Sequence, residues 1–262
     1  MNAQAQVLLL AQRALVQFPR NPVVLGFSVM PVLIMYLVFG GLFAGVAKLP
    51  GFPTDNYFEY LAPTAILLAT VPGIGNVGVA LAADFQSGYF HKLLTTPTSV
   101  GAVMLGRLLG DCLRLAVQAA LVLLLAMALG AEVATGVPGA LLMIVMGTLL
   151  GIVTFGALSA NLAIRTRDAA AVQATQPMAF LLIFLTSAYQ SSDQIESSDQ
   201  IDSAVLRTII ELNPAEHVLR PMRELMLSGY DWGDIGIGFL VIAALGAVAL
   251  PLTARNYRRA YS

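Results

Sequence analysis

Cysteine, histidine and charge are scarce in this chain, and each scarcity removes a class of function. One cysteine, Cys112, among 262 residues excludes an internal disulfide and any Cys-x-x-Cys redox or zinc motif. The two histidines, His91 and His217, are far apart and fall on opposite sides of the membrane expected below, so the sequence offers no metal cluster. Charged residues make up 11% of the chain, against about 25% in an average soluble domain. Fourteen Lys and Arg against 15 Asp and Glu leave a net charge of −1, so there is no basic field for nucleic acid. Signatures of chemistry are missing too. Gly40 and Gly45 have the glycine interval of a Walker A loop, but Val46-Ala47 stand where Lys-Ser/Thr is required. There is no Gly-x-Ser-x-Gly and no His-Glu-x-x-His. The longest segment outside the apolar runs, Gln190–Asp234, is too short for a nucleotide-binding domain. Work against a gradient would have to be powered by another chain.

What the sequence has instead is oil. It is 58% hydrophobic, with a mean hydropathy of +0.79, which describes an integral membrane protein. A helix needs roughly 20 apolar residues to cross about 30 Å of hydrocarbon. Six stretches are read as spans: Val23–Ala47, Tyr60–Ala83, Leu113–Gly130, Val137–Ile164, Ala174–Tyr189 and Ile235–Leu252. The fifth is the shortest. Alternating ten-residue strands are absent, so the class is all-α rather than a β-barrel. Ahead of the first span, Val7, Leu10, Ala14 and Phe18 fall near helical spacing among Gln and Arg. Residues 1–22 are therefore read as an interfacial helix, with a lead-in to the first span as the alternative. The run Val7–Ala11 is too short for a secretory signal.

Orientation follows from where the cations lie. With both termini on one side, that side holds ten of the 14 Lys and Arg: Arg13, Arg20, Lys92, Arg107, Arg114, Arg165, Arg167, Arg255, Arg258 and Arg259. Both termini are therefore expected in the cytoplasm and the acidic segment 190–234 outside. No ionisable residue occupies the middle of a span, which argues against a proton-coupled transporter or a voltage sensor. Irregularity comes from Pro31, Pro63, Pro72 and Pro177; the run Pro72-Gly73-Ile74-Gly75 is expected to break or bend the second span. Gly41/Gly45, Gly106/Gly110 and Gly147/Gly151 have the spacing that lets helices approach closely.

Between the second and third spans, residues 84–99 place Phe85, Tyr89, Phe90, Leu93 and Leu94 on one helical face, and Pro97 stops the helix. Such an amphipathic helix either rests on the bilayer or offers a grip to a soluble partner. Gly88, the segment Lys92-Leu93-Leu94-Thr95-Thr96-Pro97 and the stretch Leu105–Leu109 resemble the corresponding loop of type-2 ABC exporter permeases. Met30-Pro31, Pro63, Pro72-Gly73-Ile74, Leu212–His217 and Arg223-Glu224-Leu225 extend the resemblance along nearly the whole chain. The short daunorubicin-resistance-type membrane subunits are the most similar subgroup.

That resemblance implies a single transmembrane domain over 1–262, paired with a second copy of itself and with two copies of a cytoplasmic ABC ATPase. The partner, not this chain, would carry ATP and magnesium. By the same analogy Phe85, Gly88, Phe90, His91, Lys92 and Pro97 contact the ATPase. Where family members often place alternating acidic and basic residues before the glycine, this chain has Asp84-Phe85-Gln86-Ser87, which suggests aromatic rather than salt-bridged docking.

Three further features carry alternatives. Arg107, Asp111 and Arg114 share a helix face and form either an ion ladder or an interfacial anchor. Ser191–Glu196 is repeated as Ser197–Asp202 with one conservative change. Its carboxylates, three residues apart, suit either a calcium site lacking EF-hand spacing or a tolerated duplication in an exposed loop. Two apolar stripes, Val205–Leu212 and Val218–Leu227, are too short to cross. They fit helices that dip into the outer leaflet, where the resemblance makes Asn213 and Pro214 an external gate, or caps over the bundle. Asn76, Met178 and Phe184 are the candidates for the substrate path, since Met and Phe suit varied hydrophobic or amphipathic ligands. The expected function is export of a drug-like or lipid-like compound from the plasma membrane. A lipid-linked glycan exporter, a proton-coupled secondary transporter and an assembly protein without transport are the alternatives.

Overall fold

The structure, a computed structural model, describes residues 22–87, 100–186 and 203–261; at 22–25, 27–28, 71–77, 100–107, 178–179, 203–207 and 257–261 the description is of backbone alone. Every regular element among the described residues is helical. Helix α1 is Pro22–Leu42 and carries Pro31 inside it. A 3-10 turn at Val46–Lys48 follows, and α2 runs from Tyr57 to Gln86. The rest are α3 (Val100–Ala128), α4 (Gly136–Leu150), α5 (Ala157–Thr166), α6 (Ala169–Gln173), α7 (Gln176–Phe184), α8 (Ser203–Leu212), α9 (Glu216–Leu227) and α10 (Trp232–Tyr261). A six-residue π-helical turn, Gly151–Gly156, joins α4 to α5.

Local chemistry sets several of these boundaries. Asn56, in an extended conformation, accepts from Phe58 N and starts α2, with Glu59 in the first turn, where a carboxylate complements the helix dipole. Asp168 does the same for α6, accepting from Ala170 N at 3.0 Å. The chain reverses at Gly130 and Gly136, both at positive φ. Pro177 stands in the first turn of α7, where its missing N–H costs nothing.

The helices run back and forth between two ends. At one end Glu59 Oε1 accepts from Glu132 N at 3.1 Å, Thr135 Oγ1 donates to Leu225 O at 2.7 Å, and Tyr230 OH donates to Thr135 O at 3.3 Å. At the other, Gln86 Nε2 donates to Arg167 O at 3.0 Å and Asn256 Nδ2 to Asn161 Oδ1 at 2.8 Å. Helix α2 is the central post. It packs against α1, α3, α4, α5, α6, α7 and α9, and every residue from Tyr60 to Thr70 is buried. The expected break at Pro72–Gly75 is not there, because the helix continues through it to Gln86. Neighbours on both halves of α2 hold it where one backbone hydrogen bond is lost.

Gly78 and Gly147 are among the glycines, with Gly40 and Gly238, at which a neighbour comes close. A Cβ at Gly78 would stand 2.6 Å from Ser159 O and 2.7 Å from Val172 Cγ1, and one at Gly147 would stand 3.0 Å from Ile66 Cγ2. The spacing argument found Gly147 but also pointed to Gly41 and Gly45, which have nothing within 4 Å. A glycine pair marks a contact only where the facing helix presents its backbone or a branched side chain.

Three described helical stretches are long and apolar enough to cross a membrane: Leu108–Ala128, Gly136–Thr166 and Trp232–Asn256; Val29–Leu42 is apolar but shorter. Helix α7 has nine residues, a rise of about 14 Å, so by itself it covers less than half the hydrocarbon. The expected fifth span extends to Tyr189, beyond the described residues. Helix α9 differs in kind. Val218, Leu219, Met222, Leu225 and Met226 are all buried in the core, whereas Arg220 on its opposite face is exposed. It is wedged between α2, α4 and α10.

Candidate functional site

The sequence-predicted residues fall at the two ends just defined. At the Gln86 end, Phe85 is half-buried and packs on a small cluster of Leu81, Ala82, Ala160, Ala163, Ile164 and Val172. The Arg167 guanidinium sits over its ring, 5.6 Å from the centroid. Phe85 thus faces back into the bundle toward α5 and α6. Gly88, Phe90, His91, Lys92 and Pro97 lie outside the described residues, as does the proposed interfacial helix up to Asn21.

Arg167 is the one described non-glycine residue in the left-handed region, at φ 52°. It closes α5, its N–H bonding Ala163 O at 2.9 Å, in a position that glycine usually fills. Close by, a ladder of neutral polar groups ties α5 to α10. Asn161 Nδ2 donates to Thr253 Oγ1 at 2.7 Å and Asn161 Oδ1 accepts from Asn256. A search for charges in the spans passes over these amides. It also passes over Gln118, fully buried in α3, although a lone amide in a leucine-rich run is itself a readable signal.

Asp111 and Arg114 pair at 3.5 Å, with side chains only 15% and 23% exposed, and both lie within the apolar stretch Leu108–Ala128. They form a shielded pair one turn apart rather than an exposed ladder. The side chain of Arg107 lies outside the described residues. An ionisable pair therefore occupies the first turns of a span, which the boundary drawn at Leu113 concealed.

At the opposite end Asn213 is a hub. It is 5% exposed; its Nδ2 donates to Leu182 O at 2.6 Å and to Leu185 O at 2.9 Å, and its Oδ1 accepts from Ala215 N at 3.0 Å. One side chain thus caps the carbonyl end of α7 and starts the turn into α9. Pro214 follows, partly buried, where its lack of an N–H is harmless. Of the substrate-path candidates only Phe184 is described by its side chain. It is 41% exposed, on the outer face of α7; the side chains of Asn76 and Met178 lie outside the described residues, as does the tandem repeat 191–202.

Two charged contacts at this end were not foreseen. Arg223 stacks on buried Tyr60, 4.1 Å from the ring centroid, a desolvated cation–π contact worth about 2 kcal/mol. Arg220 reaches Asp234 at 2.8 Å and Glu224 at 3.6 Å, joining α9 to the start of α10. Burial pushes the Glu224 carboxyl up, and the neighbouring Asp234 pushes the same way while Arg220 opposes. The clue was Arg220, Arg223 and Glu224 at helical spacing before Asp231-Trp232-Gly233-Asp234.

The described helices thus form a bundle whose ends are held by amide and ion-pair joints, and comparison with known proteins places it. The daunorubicin resistance ABC transporter permease protein DrrB1 of Streptomyces coeruleorubidus is 29% identical over 251 residues, 94% of this chain and 83% of that protein. The family model described as ABC-2 type transporter matches residues 5–227, an unbroken stretch ending with α9, and this membrane permease therefore belongs to the ABC-2 type transporter family.

Proposed function

We propose that this chain is the membrane-spanning subunit of an ATP-driven exporter. It would cross the plasma membrane six times with both termini in the cytoplasm, and move a hydrophobic or amphipathic, drug-like or lipid-like compound outward. Two copies would work with two ATPase subunits, which carry ATP and magnesium and grip the loop at Gly88–Pro97. The observation that carries this reading is co-linearity with a daunorubicin resistance permease over 94% of the chain. The apolar build of the spans supports it, since such a wall suits an amphipathic cargo better than an ion.

The test is reconstitution with a cytoplasmic ABC ATPase that co-purifies with this chain, using daunorubicin uptake into inverted vesicles as the probe. Uptake should require ATP, and scrambling Gly88–Pro97 should abolish both uptake and co-purification of the ATPase. Unchanged uptake after the scramble overturns the coupling role. The shielded Asp111–Arg114 pair favours the proton-coupled alternative. Uptake that survives ATP depletion but collapses with the proton gradient would establish that alternative.

A further inference from the structure

Arg167 keeps a left-handed backbone, φ 52°, that a residue with a Cβ avoids and glycine accepts freely. Strain held at one position calls for a compensating contact, and the structure supplies two to the end of α2. The guanidinium covers the Phe85 ring at 5.6 Å, and the Arg167 carbonyl accepts from Gln86 Nε2 at 3.0 Å. Because the carbonyl and the side chain leave the same strained residue, its conformation is what lets it hold both partners.

The contacts continue without a gap. Asp168 caps α6 directly after Arg167. In α6, Val172 is fully buried against α2 at Gly78. Thr175 bonds back to Val172 O at 2.7 Å, and α7 begins at the next residue. At the far end of α7, Asn213 holds Leu182 O and Leu185 O and starts α9, whose Arg220 holds Asp234 in the first turn of α10. Trp232, the only tryptophan in the chain, begins that helix.

We infer that Gln86 and Arg167 form a transmission joint, carrying movement of the loop after α2 through α6 and α7 to Asn213 at the opposite end of the bundle. The inference rests on the exporter reading, in which that loop is moved by the ATPase. Arg167 here is a positioning residue that touches neither nucleotide nor cargo. One net hydrogen bond and one exposed cation–π contact together bias an equilibrium roughly tenfold, enough to link two loops and weak enough to reset each cycle.

The experiment uses the full complex in lipid nanodiscs. The permease is labelled with 5-fluorotryptophan, so that Trp232 alone gives a fluorine resonance, and the ATPase is unlabelled. Trapping with ATP and vanadate should shift the wild-type resonance. Arg167→Gly relieves the backbone, so thermal stability and basal ATP hydrolysis should hold or rise. The trapped shift should fall below about a third of wild type, and daunorubicin moved per ATP should fall roughly tenfold. Gln86→Ala should lose the shift in the same direction, and Arg167→Lys, which keeps a cation over the ring, should recover at least half of it. A full shift in Arg167→Gly overturns the joint and leaves the exporter reading standing. Failure of Arg167→Gly to retain the ATPase also overturns it, by placing Arg167 in the docking surface. A wild type that neither hydrolyses ATP nor shifts overturns both readings.

Discussion

Replacing Asn213 tests whether one side chain holds the end of α7 to the start of α9. The carboxamide makes three hydrogen bonds, at 2.6, 2.9 and 3.0 Å, in a place 5% exposed, so water cannot substitute. Leu182 O and Leu185 O belong to the helix-end carbonyls that have no partner within their own helix. At about 0.5–1.5 kcal/mol net per bond, with more for a buried group left unmatched, Asn213→Ala should cost about 2–4 kcal/mol. Asn213→Asp is nearly isosteric but turns two donated bonds into an oxygen facing two carbonyl oxygens. At neutral pH it should be at least as damaging as alanine. Once protonated, the carboxyl can donate one bond again, so the folded state raises its pKa above the unfolded value. Its stability is therefore present at low pH and lost as pH rises through the folded value. The assay is thermal unfolding in detergent, followed by fluorescence of Trp232. Shifts of roughly 5–10 °C downward are expected, with Asn213→Asp recovering on acidification and Asn213→Ala not. Two variants within about 1 °C of wild type, at every pH, would refute the hub.

Three other outcomes follow from the packing and the charges. Gly78→Ala, whose Cβ would press on Ser159 O, should cost about 1–3 kcal/mol and speed proteolysis, whereas Gly41→Ala, with open space around it, should leave unfolding of the single chain unchanged. Burial and then Asp234 raise the Glu224 pKa, so wild type should gain stability as pH falls from the raised value toward the ordinary glutamate range; Glu224→Gln should flatten that pH profile when unfolding is measured at several pH values. Asp111→Ala should destabilise the fold by about 1–3 kcal/mol because it removes the carboxylate 3.5 Å from the shielded Arg114 guanidinium, and adding Arg114→Ala should restore part of that, as a double-mutant comparison of thermal unfolding in detergent will show.

Much of this was legible because membrane folding leaves strong marks. Long apolar runs gave α2 and α4–α5 nearly where they stand, but only the apolar part of α3, which begins at Val100 rather than Leu113, and of α10, which runs on to Tyr261 rather than ending at Leu252. Three kinds of feature escaped. Neutral amides such as Gln118 and Asn161 carry no charge to flag them, yet Asn161 bonds across helices to Thr253 and Asn256. Proline at 72 carries a local tendency to interrupt a helix, but burial on several sides of α2 overrides it. Glycine spacing identified Gly147 and missed Gly78, because closeness depends on what the opposite helix presents, and a single sequence does not record that. The Phe85 ring meets Arg167, a residue 82 positions later in the chain, and no local pattern records a contact that distant.

The π-helical turn at Gly151–Gly156 has a consequence for length variation along this helix. A wide turn accommodates one residue more than an α-helix of the same rise, and each residue rotates a helix by about 100°. Deleting a single position between Leu150 and Ala157 would let the wide turn close into ordinary α-helix with both halves in nearly their present phase. Gly147 would still face Ile66 and Met222, and Asn161 would still meet Thr253 and Asn256. The same deletion within α4 or α5, where no wide turn absorbs it, would swivel one half by about 100°, so an aligned chain one residue shorter keeps these fastenings only if the gap falls at this turn.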